Sequence, residues 1–238
     1  MRPITPKQIE SLATVQQHFH DCYILSSLGI LSRSKKGQKI LQNNITTNGK
    51  DFNIKFLNVN GKTEDYFISS QEIHNLKFRN SDGTLQEMHC PIVKSVELAM
   101  NKLIKNHPFK KPPIYRAMDT QQPFEYNKPS RFLELFTGQK PITLNESSLR
   151  MSLMSKLRDA GDLMMKIWDD KDSAFMLGTG VHFGKLPSWH CFDITKVDMP
   201  NNTFTVFDHR QNEELKFPIL SGLIKFKFLT GFLGKDLK

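Results

Sequence analysis

The segment QQHFHDCYILSSLGILS, residues 16–32, decides how the rest of the chain is interpreted. It places Cys22 directly after Asp21, a residue type that often caps helices, and in front of a largely apolar run typical of a buried helix. The unpaired N–H groups and the dipole at a helix N-terminus favour negative charge, so this position stabilises a thiolate. The sequence therefore predicts that Cys22 begins a buried helix. Taken alone, a cysteine in an apolar helix is more often a packing residue, and Gln16 together with the histidine and acid of a later hairpin favours a nucleophile.

Length and cysteine content set the broad class of the protein. The 238 residues are enough for one large domain or two modest halves with a substantial core. No apolar run approaches the roughly 20 residues of a membrane helix, and the first residues lack the apolar core of a Sec-type signal peptide. Cys22, Cys90 and Cys191 are the three cysteines of the chain. Such a sparse, odd set argues against a disulfide framework and indicates a reducing intracellular compartment such as the cytosol.

The chain is basic, with a formal net charge of +9 that comes from lysines scattered along its length. An arginine-rich arm, zinc-finger spacing and an interleaved aromatic–basic stripe are all missing from the sequence. We interpret the charge as a solvated basic surface and expect no nucleic-acid partner. A basic nucleic-acid or lipid binder is the alternative that the charge leaves open.

The first half of the chain is mainly helical in its spacing. Residues 34–45 and 90–106 read as helices, whereas 51–69 alternates in polarity around Asn60-Gly61, which is typical of a β-hairpin. Ser130 is predicted to cap a short helix that Gly138 ends. A further helix is predicted over 147–161, with Gly161 as its stop.

The second half changes to strand patterns. Five segments, SAFMLGTG, HCFDITKV, TFTVFD, ELKF and LIKFKFL, read as strands. This order predicts an α+β fold in which a helical lobe, residues 1–130, meets a β-rich lobe, residues 131–238. The two lobes together are expected to form one catalytic domain with its active site in the cleft between them.

A catalytic cysteine needs a histidine to exchange its proton, and His190 is the best placed of the eight. It opens one predicted strand and Asp208 closes the next, with the turn-forming DMPNN between them. If these strands pair as a hairpin centred near Met199 or Pro200, His190 and Asp208 lie at the same end and on the same face. Neighbouring cross-strand side chains are about 4.5–8 Å apart, so Asp208 can orient the imidazole. Asp193 points to the other face and is excluded from that role.

A glutamine upstream of the cysteine has the chemistry of an oxyanion donor. Attack by a thiolate on a carbonyl creates an oxyanion, which is stabilised by preorganised N–H donors. The backbone N–H of Cys22 is one donor, and the side-chain amide of Gln16 is a second. Gln17 competes with Gln16 for this role.

The same region also permits a zinc interpretation. His18, His20 and Cys22 form an H-x-H-x-C run that His89-Cys90 would complete. Zinc ligands are usually separated by two or more residues, and a bound metal would quench the thiolate, so we expect no metal and no cofactor. Cys191 is expected to be a core thiol on the strand face opposite His190. The remaining histidines are expected at the surface or as satisfied loop residues: His74, His107, His182 and His209.

The cysteine segment resembles the active-site helix of calpain-like cysteine proteases, a branch of the papain-like superfamily. Gln16, Asp21, Cys22 and Tyr23 match its glutamine, acid, cysteine and aromatic positions. CPIVKSVELAMNKLIKN, SRFLELFTGQKP, FMLGTG, HCFDI and TFTVFDHRQNE resemble later segments of that family in the same order. The resemblance implies a papain-like fold and cleavage of peptide bonds in a protein substrate by a triad of Cys22, His190 and Asp208.

The chain departs from the family pattern beside the triad. DHRQ stands where calpains have asparagine followed by Pro-Trp-Gly, so Asp208 replaces the asparagine and the shielding tryptophan is missing. Trp189, next to His190, is expected to line the substrate-binding cleft and to take over the shielding. The sequence has no Asp-x-Asp-x-Asp-Gly calcium loop, and we therefore expect calcium independence.

Other functions share this pattern. The same triad can deamidate or cross-link glutamine side chains, because the acyl-enzyme chemistry is identical until the acceptor arrives. A non-enzymatic binding module with a degenerate site is a further alternative. By resemblance, a calpain-like domain without calcium loops or a leader also suits a bacterial effector that is delivered into a host cell and cuts a host protein.

Overall fold

The computed structural model describes residues 1–15, 22–58, 60–76, 78–79, 85–86, 90–107, 129–145, 153–179, 186, 190–223, 225–226 and 228–236. These residues form an α+β protein, as the sequence predicts. Its helices are α1 (Pro6–Leu12), α2 (Cys22–Arg33), α3 (Lys35–Asn44), α4 (Ser70–Asn75), α5 (Pro91–Asn106), α6 (Pro129–Thr137), α7 (Leu153–Asp169) and α8 (Ile219–Leu223).

The strands pair antiparallel throughout the described residues. They are β1 (Arg2–Pro3), β2 (Ile45–Thr47), β3 (Phe52–Leu57), β4 (Thr63–Ile68), β5 (Phe78–Arg79), β6 (Leu85–Gln86), β7 (Ile142–Asn145), β8 (Ala174–Gly178), β9 (Cys191–Asp198), β10 (Thr203–Asp208), β11 (Glu213–Pro218) and β12 (Phe228–Phe232). A four-stranded sheet has the order β1-β2-β3-β4, and a six-stranded sheet has the order β11-β10-β9-β8-β12-β7. The two remaining strands, β5 and β6, pair with each other.

The first apolar core surrounds α2. Almost the whole of this helix is buried, because apolar residues cover most of its surface. Phe56 of β3 packs edge-on against Phe132 and Phe136 of α6. The helix α6 therefore belongs to this first core, and the predicted lobe boundary at residue 130 falls inside an element of the first lobe.

The second apolar core lies on one face of the six-stranded sheet, under α7 and α8. Side chains alternate along β9: Phe192 faces this core, whereas Cys191 packs with the first core and Asp193 faces Gly29 of α2. Helix α2 therefore packs against the opposite face of the same strand. This arrangement brings the N-terminus of α2 to the start of β9.

Several predicted elements are confirmed. Helix α3 begins after the N-cap Ser34, and α5 begins at Pro91. The predicted hairpin around Asn60-Gly61 is the β3–β4 pair. Gly138 ends α6 with a positive φ of 74°, and its N–H donates to the carbonyl of Glu134 at 2.9 Å.

Three local predictions are wrong. Gly161 does not stop its helix, because α7 runs on to Asp169 and buries Met164 and Ile167 in the second core. Ser130 lies inside α6 rather than capping it. The segment LIKFKFL, residues 223–229, was predicted as a strand, but Leu223 ends the short helix α8 and strand β12 begins only at Phe228.

The described parts of the chain contain no helix that is both long enough and apolar enough to cross a membrane.

Candidate active site

Cys22 is the first residue of α2, and 7% of its surface is exposed. The helix that follows is twelve residues long, so its N-terminal N–H groups and dipole act on the sulfur from one side. A thiol held here can ionise more readily than an ordinary cysteine.

The predicted hairpin that carries the histidine and the acid is the β9–β10 pair. Its register aligns Thr203 with Asp198 and Phe207 with Asp193, and it is antiparallel. Continuing this register places Asp208 diagonally across from His190, which lies one residue before β9. The Nε2 atom of His190 is 2.8 Å from Oδ1 of Asp208. Both side chains are buried, with 5% and 0% exposed.

Asp208 is held as an ionised acceptor. Burial alone would raise the pKa of its carboxyl, yet the hydrogen bond and charge of His190 and the backbone N–H groups of Arg210 and Gln211 hold that pKa below its usual range. The Arg210 N–H donates to Oδ1 at 2.8 Å. The same oxygen therefore binds the imidazole and the turn that follows β10.

Thr179 fixes the backbone of His190. The His190 N–H donates to Oγ1 of Thr179 at 3.0 Å, and the Thr179 N–H donates to the carbonyl of His190 at 2.9 Å. The imidazole also packs edge-on against Phe192, with ring centroids 4.7 Å apart. Nothing in the sequence distinguishes Thr179, which follows β8, from other strand-end threonines.

Cys22 raises the pKa of His190, and His190 lowers the pKa of Cys22. Burial would lower the pKa of His190, but hydrogen bonds with Asp208 and Cys22 outweigh it and raise the pKa to about 9. Because Nε2 is engaged by Asp208, Nδ1 is the ring nitrogen left to face the sulfur. The pKa of Cys22 is well below its ordinary value, chiefly through a hydrogen bond from Cys191, with burial opposing and His190 adding a further hydrogen bond and its charge. The arrangement therefore favours a thiolate–imidazolium pair at neutral pH.

Cys191 has a role in this contact that the sequence interpretation missed. It is buried in the first core, as expected for a core thiol, but its sulfur also lies within hydrogen-bonding reach of Cys22. The hydrogen bond to Cys22 raises the pKa of Cys191, and burial raises it further. Cys191 therefore remains a neutral S–H donor beside the thiolate.

The pKa shifts predict how Cys22 reactivity depends on pH. A lowered thiol pKa extends the thiolate to lower pH than in an ordinary cysteine, and a raised imidazole pKa keeps His190 protonated until about pH 9. We expect alkylation of Cys22 by iodoacetamide to continue at pH 6, where an ordinary thiol is almost fully protonated. We also expect NMR titration of His190 to show an apparent pKa near 9 that falls in Cys22→Ala. An unchanged His190 titration in that variant would contradict the ion pair.

Two substitutions at Cys191 separate its hydrogen bond from its volume. Cys191→Ala removes the donor, so the pKa of Cys22 should rise and alkylation at pH 6 should slow severalfold. Cys191→Ser keeps a donor of similar size and should leave the rate close to that of the wild type. Equal rates in both variants would show that the hydrogen bond does not govern the thiol. The measurement is the alkylation rate against pH, read by mass spectrometry of the Cys22 peptide.

Several predicted site residues lie outside the described residues. These are the oxyanion residue Gln16, its competitor Gln17 and the predicted cleft residue Trp189. The zinc alternative also depends on such positions, namely His18, His20 and His89, as does the surface or loop assignment of His182. Within the described ranges, no three or more His, Cys, Asp or Glu side chains are grouped to hold a metal ion.

His209 and Asp193 form a second buried pair next to the first. Asp193 faces α2, away from His190, as the strand alternation predicts. His209 is satisfied by hydrogen bonds, with Nε2 placed 3.0 Å from Oδ2 of Asp193. Its side chain is fully buried, so it is not at the surface.

No protein-family model matches this chain. No curated protein matches it either.

Proposed function

We propose that this protein is a thiol-dependent hydrolase that cleaves peptide bonds with Cys22, His190 and Asp208. The observation that carries the proposal is that the His190 imidazole has two partners. It forms a buried hydrogen bond of 2.8 Å with Asp208, and it lowers the pKa of the Cys22 thiol. A cysteine at a helix N-terminus, a histidine and an orienting acid are the parts that acyl transfer through sulfur requires.

The proposed reaction begins with attack of the Cys22 thiolate on the carbonyl carbon of the scissile bond. The carbonyl electron pair moves onto oxygen, where the Cys22 N–H and the predicted donor Gln16 stabilise it. When the tetrahedral intermediate collapses, the imidazolium of His190 gives its proton to the leaving amine. Water then attacks the thioester carbonyl while neutral His190 accepts its proton. The C–S bond breaks, which releases the carboxylic acid product and restores the Cys22 thiolate, and the carboxylate of Asp208 keeps the ring oriented throughout.

The proposal includes a papain-like fold of calpain type. Its supports are a buried nucleophile helix, an antiparallel sheet that supplies the histidine and the acid, and packing of that helix against the histidine strand. Asp208 serves where calpains use asparagine, and its ionised carboxylate favours a charged imidazole more strongly than an amide does. Calcium independence remains part of the proposal, as does action on a host protein in a reducing compartment, where the thiol stays reduced.

A proteome-wide comparison tests the activity while the substrate is still unidentified. Cell lysate is treated with the wild type, with Cys22→Ala or with Cys90→Ser, and new peptide termini are sequenced by mass spectrometry. New termini should depend on Cys22 and persist in Cys90→Ser, because burial raises the pKa of Cys90. Converted glutamines without new termini would assign the deamidase or transglutaminase alternative. No Cys22-dependent product of either kind would contradict the proposal.

A further inference from the structure

The second histidine–carboxylate pair holds the chain just before the nucleophile segment. Nδ1 of His209 is 2.7 Å from the carbonyl oxygen of Val15, and Nε2 is 3.0 Å from Oδ2 of Asp193. A carbonyl oxygen only accepts hydrogen bonds, so Nδ1 is the donor in the first contact. The proposed reaction uses neither His209 nor Asp193, which leaves this buried pair without an assigned role.

Both ring nitrogens of His209 face acceptors, which favours the charged imidazolium. Burial would lower the pKa of His209, but the charge and hydrogen bond of Asp193 and the carbonyl of Val15 raise it. His209 and Asp193 therefore form a buried ion pair that donates a charge-assisted hydrogen bond to Val15. Such bonds are roughly twice as strong as neutral ones.

Arg33, at the C-terminal end of α2, also links Asp193 to the chain before Gln16. Its guanidinium donates to the carbonyl of Ala13 at 2.7 Å and lies 3.7 Å from Oδ2 of Asp193. It also stacks over Phe207, 5.4 Å from the ring centroid. Asp193 therefore lies beside two cationic side chains, His209 and Arg33. His209 donates a hydrogen bond to the carbonyl of Val15, and Arg33 donates one to the carbonyl of Ala13.

These contacts fix the start of the stretch that carries the predicted oxyanion donor. Val15 directly precedes Gln16 in the chain, and the stretch ends at Cys22. The carbonyl of Val15 is held by His209, and α2 is held against β9 where Gly29 meets Asp193. The same carboxylate therefore contacts His209, which holds Val15, and the middle of α2 at Gly29.

We propose that His209, held by Asp193, is a positioning residue that sets the oxyanion-binding geometry of the site. The inference rests on the proposed function and adds a residue to it. Displacing an oxyanion donor slows the reactions that create an oxyanion and does not change the rates of other reactions of the thiolate. His209 should therefore matter for acyl transfer but not for simple alkylation of Cys22.

Two small probes separate these reactions. With p-nitrophenyl acetate, the Cys22 sulfur bonds to the carbonyl carbon and the carbonyl electron pair moves onto oxygen. That pair then re-forms the carbonyl as the bond to nitrophenolate breaks, leaving an acetyl thioester. With iodoacetamide, the sulfur displaces iodide at a saturated carbon and no oxyanion forms.

The experiment compares both rates in full-length wild type, His209→Ala and His209→Asn. His209→Ala should acylate on the order of 10- to 100-fold more slowly, while its alkylation rate stays within about twofold, since the thiolate is intact. His209→Asn should recover much of the loss, because its side-chain N–H can donate to the Val15 carbonyl from a position similar to Nδ1. Arg33→Met, at a partly exposed position, should show a smaller loss of the same selective kind, and it serves as the variant if His209→Ala does not fold.

The two proposals fail in different ways. A wild-type thiol that alkylates rapidly but is not acylated would overturn the proposed function and this inference with it. Normal acylation of the wild type combined with equal losses of both rates in the variants would overturn only the inference, because it would show a general structural role. An unchanged acylation rate in His209→Ala would overturn it as well.

Discussion

His190→Ala is expected to slow the alkylation of Cys22 at pH 6 by about tenfold or more, because once the thiol pKa exceeds the solution pH each further unit removes about nine-tenths of the thiolate. The substitution removes the imidazolium that lowers the pKa of Cys22. Greater nucleophilicity of a thiolate with a higher pKa offsets part of this loss. Peptide hydrolysis should fall further, by about 10²- to 10⁴-fold, since the proton donor for the leaving group is also lost.

Matched controls identify the cause of such a loss. Burial raises the pKa of Cys90, and Cys90 should be alkylated at the same slow rate in the wild type and in His190→Ala. His74→Ala removes an exposed histidine of α4 and should change neither rate. If His190→Ala alkylates at Cys22 as fast as the wild type at pH 6, His190 does not activate the thiol and the proposed triad is wrong.

Gly29→Ala is expected to destabilise the protein by about 3 kcal/mol or more, since it both overpacks a core and disturbs a buried ion pair. A Cβ atom at Gly29 would lie 2.0 Å from Oδ2 of Asp193 and 3.0 Å from Nε2 of His209. To admit it, α2 must move off β9 or Asp193 must leave His209 and Arg33. For a chain of this size the melting temperature should fall by roughly 6–12 °C, measured by circular dichroism.

Gly161→Ala, at another helical glycine, should have the opposite effect on the free energy of unfolding. Outside the backbone of α7 itself, no atom of the described residues lies within 4 Å of a Cβ built at Gly161, so alanine gains helix propensity without a clash. We expect a stabilisation of about 0.5–1 kcal/mol. A melting temperature in Gly29→Ala equal to that of the wild type would show that α2 is not held tightly against β9.

The sequence predicted the relation between His190 and Asp208 from strand alternation, but the register that produces it depends on a bulge that the sequence did not reveal. The β9–β10 register shifts between Thr205 and Val206, leaving Thr195 of β9 as an extra residue. Strand alternation fails across such a bulge. Near the turn, even-numbered residues of β9 pair with odd-numbered residues of β10, as in Asp198 with Thr203, whereas beyond the bulge Ile194 pairs with Val206. The bulge therefore puts Asp208 on the same face as His190, and the turn-end register continued without it would have put Asp208 on the other face.

The contacts of Cys191 and the extent of α7 could not be predicted in the same way. Alternation correctly assigned Cys191 to the face opposite Phe192, but the sequence does not reveal that this face meets the N-terminus of α2. His190 and Cys191 nevertheless both interact with the Cys22 sulfur. The stop predicted at Gly161 was wrong because burial of Met164 and Ile167 outweighs the low helix propensity of one glycine.

The distance along the chain between the nucleophile and its activating pair has a consequence for biosynthesis. Cys22 leaves the ribosome long before His190 and Asp208 are translated. Until the final strands are made and α2 packs against them, its sulfur remains an ordinary protonated thiol that attacks carbonyls slowly. For the proposed hydrolase, this order of synthesis keeps the nascent polypeptide from digesting itself or its neighbours, because the reactive thiol forms only once β9 and β10 have been made and have packed against α2.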